Sequence, residues 1–251
     1  MIAAPVLPHP PETLAVLAAI VACGACVQTS IGFGAMLVSV TLGSLILPVG
    51  ELLPLLVPVA VTQTTVVGLQ KRHAIVWPLL LRRVLPLMGI GLTLAIVLVK
   101  GDTPWMKKAL GAMILVLAGR ELALGSRPST PTGVRALVSL VGVVLAGFVH
   151  GVFATGGPVL VWALGQQPLD KAAFRATLQV VWFTLNSVLM LTFLAEGRAD
   201  ASTLLGTATL LPTAALGIAC GYWLHDRVDE ARFRTAVWGT LVLASLPLML
   251  R

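Results

Sequence analysis

A glycine-broken apolar segment occurs twice in this chain, in the same order and at nearly constant spacing, and few folds accommodate such a pattern. The first copy, GACVQTSIGFGA, occupies residues 24–35 and the second, GFVHGVFATGGP, residues 147–158. Gly24 therefore matches Gly147, Gly32 matches Thr155 and Gly34 matches Gly157, at an offset of 123. Gln63 stands opposite Asn186 at the same offset. After a three-residue slip, Pro86 stands opposite Pro212, Gly91 opposite Gly217 and Lys108 opposite Arg234. Two copies of one unit, each with a helix broken at the same place, are the sequence trace of a membrane transporter built from structural repeats.

The surrounding residues are apolar enough for a bilayer. Mean hydropathy is +0.97, and of 251 residues 57% are hydrophobic and 11% charged, too few polar groups to coat a soluble domain of this size. A hydrocarbon core about 30 Å thick asks for roughly 17–25 apolar residues per helix. Such stretches lie at 13–31, 52–69, 78–99, 105–124, 134–154, 172–195, 203–224 and 233–250, with shorter pieces at 34–49 and 158–166, directly after the breaks. The expected fold is an all-α polytopic membrane protein of two inverted repeats, each of about five helical segments, with eight long spans and two short or broken helices. The first repeat takes residues 1–124, the second 134–251, and the linker GSRPSTPTG residues 125–133. The start, MIAAPVLPHPPETL, has no Lys or Arg and no clear cleavage site, so stretch 13–31 reads as a first helix and not as a signal peptide.

Lys and Arg accumulate in cytoplasmic loops, which bears on whether the short pieces cross. If all ten segments cross, with the N-terminus outside, only Lys100, Lys107, Lys108, Arg198 and Arg251 of the 17 basic residues fall outside. If both short pieces turn back, the basic residues divide almost evenly. Ten crossings, five per repeat, are favoured, and the odd number inverts the second repeat relative to the first. The formal charge of +7 is accounted for by these flanks and by the anionic lipid they meet, with no need of nucleic acid.

The breaks are where chemistry enters. Irregular backbone survives at membrane depth only when buried in protein or lining a wet cavity. In Thr155-Gly156-Gly157-Pro158, flexible glycines precede a proline suited to opening a new helix, so free N–H groups and a positive helix end converge there, an anion site in kind. Ser30, Gly32, Phe33 and Gly34 offer the counterpart in the first repeat. Close packing of small residues competes with this reading for a single break; two matched breaks favour a site. Gln28, Gln63, His150, Gln179 and Asn186 are polar side chains within apolar spans, expensive unless they pair or line a pathway. Gln63 and Asn186, as symmetry mates, are candidate amide donors, with helix-to-helix bonding as the alternative. His150 is a candidate for proton coupling and Arg175 for drawing an anion into the vestibule. Cys23, Cys26 and Cys220 read as small packing residues.

No Asp or Glu lies in the middle of a span, which argues against a carboxylate-lined cation path or proton relay. No HExxH, GxSxG or His/Asp cluster suggests an enzyme, a metal or a cofactor. The chain resembles the TauE/SafE sulfite exporter-like family of small bacterial permeases over nearly its whole length. The likeness rests on the duplicated architecture, the Gly32-Phe33-Gly34 break, the Gly156-Gly157-Pro158 break with its short apolar helix, and the polar-bearing helix after each. Phe33 between its glycines, and Thr155 where a further glycine is common, depart from the family pattern. The resemblance implies a multi-pass inner-membrane secondary transporter, not an enzyme, that exports sulfite, sulfoacetate or other organosulfonates. Its partners would be a small anionic substrate and the lipid bilayer. An anion channel for small carboxylates or other anions, and a non-transporting assembly partner, are the alternatives.

Overall fold

The structure, a computed structural model, describes residues 7–70, 72–99, 105–124, 133–164, 169, 171–225, 227 and 229–250. Among these residues the regular elements are all helical. The first half carries α1 (Pro11–Ile31), α2 (Ala35–Gly43), α3 (Val49–Gln70), α4 (Trp77–Leu98) and α5 (Trp105–Leu124). The second half carries α6 (Gly133–Phe153), α7 (Gly157–Leu164), α8 (Lys171–Ala195), α9 (Ala201–His225) and α10 (Glu230–Leu250). The 34–49 piece is shorter than its apolar run: α2 spans 9 residues, because beyond Gly43 the chain turns through Leu45–Leu47 toward Pro48, whose carbonyl accepts the Leu52 N–H. Residues 125–132 of the linker and 165–168 after α7 lie outside the described residues.

Among the described residues, five helices are long and apolar enough to cross a membrane: α1, α3, α4, α8 and α9. In α6 and α10 the described residues include apolar stretches at Val138–Phe153 and Thr235–Met249. In α5, Lys107, Lys108 and Arg120 flank an apolar middle, a placement that lets long side chains reach the headgroups. The outward faces are greasy: Val116, Leu216 and Leu243 are 70%, 68% and 70% exposed, a cost in water and none in lipid. Polar side chains are turned inward, with Gln28, Gln63, His150, Gln179 and Asn186 all buried.

Two proline positions are compensated. Pro54 inside α3 has no N–H, so the carbonyl of Gly50 one turn earlier loses its helical partner; the Arg198 Nη2 donates to that oxygen at 3.1 Å. Ahead of Pro86, α4 widens into a π turn at Leu80–Val84, closed by the Leu85 N–H on the Leu80 carbonyl, which relieves the clash a proline makes with the preceding turn. Asp200 caps α9, its Oδ1 accepting from the Thr203 N–H and from the hydroxyls of Ser202 and Thr203, each at 2.8 Å. These bonds, led by the one from the Thr203 backbone, hold its carboxyl below the usual carboxylate range.

The helices pair across the halves. α1 packs along α9, α4 along α6, α3 along α8 and α5 along α10. Two glycines set the closest of these approaches: a methyl added to Gly91 would overlap the Val144 carbonyl of α6, and one added to Gly217 would overlap the Ala22 carbonyl of α1. Exchanging α1–α5 for α6–α10 leaves this set of pairings unchanged.

Candidate functional site

The first break is built by two glycines in left-handed conformation, Gly32 with φ 93° and Gly34 with φ 111°, a region that side chains avoid. Its polar groups are consumed by the protein. Gln28 Oε1 accepts the Ala35 N–H at the start of α2 at 3.2 Å, and its Nε2 donates to Gln179 Oε1 at 3.3 Å. Gln179 Nε2 in turn donates to the Gly32 carbonyl at 3.1 Å, and Arg175 Nη2 to the Thr29 carbonyl at 2.6 Å. The aliphatic part of Arg175 covers Gly32. A cation thus closes the carbonyl end of α1, the end that carries negative dipole. Ser30 donates to the carbonyls of Cys26 and Gly221, tying α1 to α9.

The second break is made differently. Its left-handed residue is Ala154, φ 53°, and neither Gly156 nor Gly157 has a positive φ. Those glycines serve close approach instead. A methyl on Gly156 would overlap the Ala146 carbonyl and crowd His150, and Gly157 faces the ring of Phe33, with Phe33 Cδ2 3.4 Å from where its Cβ would stand. Through that contact the two breaks meet.

Between them lies a cavity of about 20 Å³, room for one water-sized group. Gln28 and Gly34 reach it from the first break, Thr155 and Gly157 from the second, His150 from α6, and Trp182 and Asn186 from α8. His150 stacks on Trp182 with ring centres 5.8 Å apart and planes 16° apart, and the Asn186 amide lies beside the imidazole. All these side chains are at least nine-tenths buried. Among the described residues, the buried side-chain nitrogens and oxygens without a hydrogen-bond partner are His150 Nδ1 and Nε2, Thr155 Oγ1, Trp182 Nε1 and Asn186 Oδ1. Every one belongs to a residue lining this cavity. An unmet buried polar group costs about 1–3 kcal/mol, so five in one small space mark a place built for something polar.

The candidate residues therefore divide. Gln28, Gly34, Thr155, Gly157, His150 and Asn186 share the cavity, while Phe33 and Gly156 pack its walls. Gln63 lines an adjoining cavity of about 10 Å³ with Ala35 and Met36 and donates to the Ala25 carbonyl at 3.3 Å. Gly32, Ser30 and Arg175 sit in the bonded scaffold of the first break. Trp182 escaped the sequence reading, although a signal was present: Arg175, Gln179, Trp182 and Asn186 follow one another at helical spacing on one face of α8, and tryptophans of membrane helices ordinarily sit at the ends.

The three cysteines line a larger crevice, about 510 Å³, between α1, α2, α9 and α10. Cys23 and Cys220 are exposed and not buried packing residues, because they face this crevice. Apart from the thiols, the crevice offers only the Thr240 hydroxyl, which is spent on the Ala236 carbonyl. Among the described residues no group of three or more His, Cys, Asp or Glu side chains is placed to hold a metal ion.

A helical bundle with apolar outer faces, several helices of bilayer length and a small cavity lined by buried polar side chains between two broken helices defines a multi-pass membrane protein of the transporter class. The family model for the sulfite exporter TauE/SafE matches residues 16–248, and the chain belongs to that family. It is 25% identical over 240 residues to the probable sulfite/organosulfonate exporter TauE of Cupriavidus necator, covering 93% of each chain. No solved structure matches it.

Proposed function

We propose that this chain is a secondary transporter that exports small sulfur-containing anions, such as sulfite, sulfoacetate or other organosulfonates, across the bacterial inner membrane. The observation that carries the reading is the set of unmet polar atoms on His150, Thr155, Trp182 and Asn186 around one cavity between the two breaks. Donors without a neighbouring cation suit moderate affinity for an oxyanion, which release requires. The positive end of α7, starting at Gly157, adds to them. Family membership and the name of the Cupriavidus necator relative support the substrate class.

Alternating access is the mechanism proposed. The cavity is too small for an organosulfonate, so loading requires α7 and α8 to part from the first break on one side at a time. The pairing of α1 with α9 and of α4 with α6 supports two repeats, residues 1–124 and 134–251, related by an axis in the membrane plane, with eight long spans and two short ones. In this reading the bonded first break is the scaffold and the second break the working half. Gln63, Asn186's counterpart, faces the cavity next door. An inside-negative potential drives an anion outward, worth about 2.3 kcal/mol per charge per 100 mV.

The test is flux of radiolabelled sulfite and organosulfonates in proteoliposomes, with Asn186→Leu alongside. Saturable flux, lost by at least tenfold in a folded Asn186→Leu protein, is the expected result. Saturable flux unaffected by that substitution rules out the cavity as the site, and no flux of any sulfur oxyanion or sulfonate rules out the substrate class.

A further inference from the structure

We propose that the cavity carries sulfite together with one proton, so that each sulfite crosses with a single net negative charge. The inference rests on the exporter reading above and concerns what form of anion that site takes. It follows from the kinds of polar atom left unmet. Trp182 Nε1 can only donate, the Thr155 hydroxyl can donate or accept, and Asn186 Oδ1 can only accept. A neutral imidazole has one donor and one acceptor nitrogen in either tautomer, and both His150 nitrogens are unmet. The cavity therefore asks for a ligand that both accepts and donates.

A dianion such as sulfite fails that requirement. Its oxygens accept from Trp182 and Thr155, but the imidazole beside Asn186 has a single N–H: given to Asn186 Oδ1 it leaves the other ring nitrogen's lone pair against the anion, and given to the anion it leaves the Asn186 oxygen there as well. It also brings two charges into a space with no cation among its described lining residues, the circumstance in which burial is most expensive. One proton resolves both conflicts, whether it sits on the anion or on the imidazole, by supplying a donor and cancelling one charge. Sulfite takes up a proton near neutral pH, so the exchange between anion and imidazole is easy. The proton enters with the sulfur and leaves with it, and His150 ends each cycle neutral.

Among the described residues, nothing else near the imidazole competes for that role. α4 faces His150's helix with Met88, Leu92 and Ala95; α1 and α2 face the cavity with Gln28, Met36 and Leu37; the second break presents Thr155 and Pro158, and α8 presents Trp182 and Asn186. None of these titrates. The charge on the same stripe of α8, Arg175, is bound to the Thr29 carbonyl.

The experiment is a zero-flux potential. Proteoliposomes holding the intact protein receive a tenfold gradient of radiolabelled sulfite at equal pH on both sides, and a potassium diffusion potential is varied until net flux stops. One net charge per sulfur balances a tenfold gradient at about 59 mV, and two charges at about 30 mV. A balance near 59 mV is expected. Saturable flux that balances near 30 mV, or ignores the potential, overturns the proton and leaves the exporter reading intact; absence of flux overturns the exporter reading itself. To tie the proton to this cavity, His150→Gln removes its protonatable nitrogen. Flux at alkaline pH, where free sulfite is mostly dianion, is expected to fall about tenfold or more relative to flux at pH 6, by comparison with the unsubstituted protein. An unchanged pH profile overturns the assignment to His150.

Discussion

Four side chains hold the unmet polar atoms of the described molecule, and each is placed by a different local device. His150 is the last helical turn of α6, turned inward because Gly151 and Gly147 let α4 close over its neighbours. Thr155 follows Ala154, whose left-handed φ of 53° re-aims the chain at a cost of order 1 kcal/mol for a residue with a side chain. Trp182 and Asn186 are one turn apart on α8. The strain at Ala154 gives a direct prediction: Ala154→Gly removes the clash at that φ and is expected to stabilise the protein by about 0.5–1 kcal/mol, read as a rise in the thermal midpoint in detergent. A fall in the midpoint would mean that Ala154's methyl packs better than its backbone suffers. The mid-span His, Gln and Asn residues were visible in the sequence because isolated polar groups stand out against apolar surroundings. Their inequality was not, since whether Gln28 is spent on Ala35 and Gln179 depends on which helix lies opposite.

Among the helices, α8 organises both breaks. Its stripe of Arg175, Gln179, Trp182 and Asn186 gives two residues to sealing the first break and two to the cavity. The corresponding positions of α3 are Leu52, Leu56, Val59 and Gln63, apolar except at the last, so the second break has no Arg or Gln to consume its polar groups. This difference leaves the polar groups of one break bonded and those of the other unmet. The glycine pair that seats α4 on α6 and α9 on α1 is the other device at this level. Gly91→Leu and Gly217→Leu would each drive a side chain into a backbone carbonyl, and each is expected to cost at least about 1–3 kcal/mol. The check is thermal stability of both variants against Gly89→Leu and Gly119→Leu, which meet open space; equal stability of all four would disprove the close seating. The offset of 126 between Gly91 and Gly217 marked the two as equivalent, but the partner of each lies in the other half, out of reach of any local pattern.

For the whole chain, the charge asymmetry yields a topology that can be measured. With ten crossings, residue 126 in the linker faces the cytoplasm and residue 198 the opposite side. In a cysteine-free background, Arg198→Cys is expected to react with an impermeant maleimide in intact cells and Ser126→Cys only after permeabilisation. The reverse, or equal labelling, would reject ten crossings with an outside N-terminus. Membrane residence, helical class, the duplicated order of segments and the places of the two breaks were all legible without coordinates. Each depends on hydropathy along the chain or on glycine and proline punctuation, which are local properties. The location of the cavity, the sealing of one break and not the other, and the part played by Trp182 come from contacts between residues some 120 to 150 positions apart, such as Gln28 with Gln179 and Thr29 with Arg175. Those pairings are set by how ten helices fit around one another, a packing problem in which a glycine on one helix matters only through the carbonyl that meets it on another.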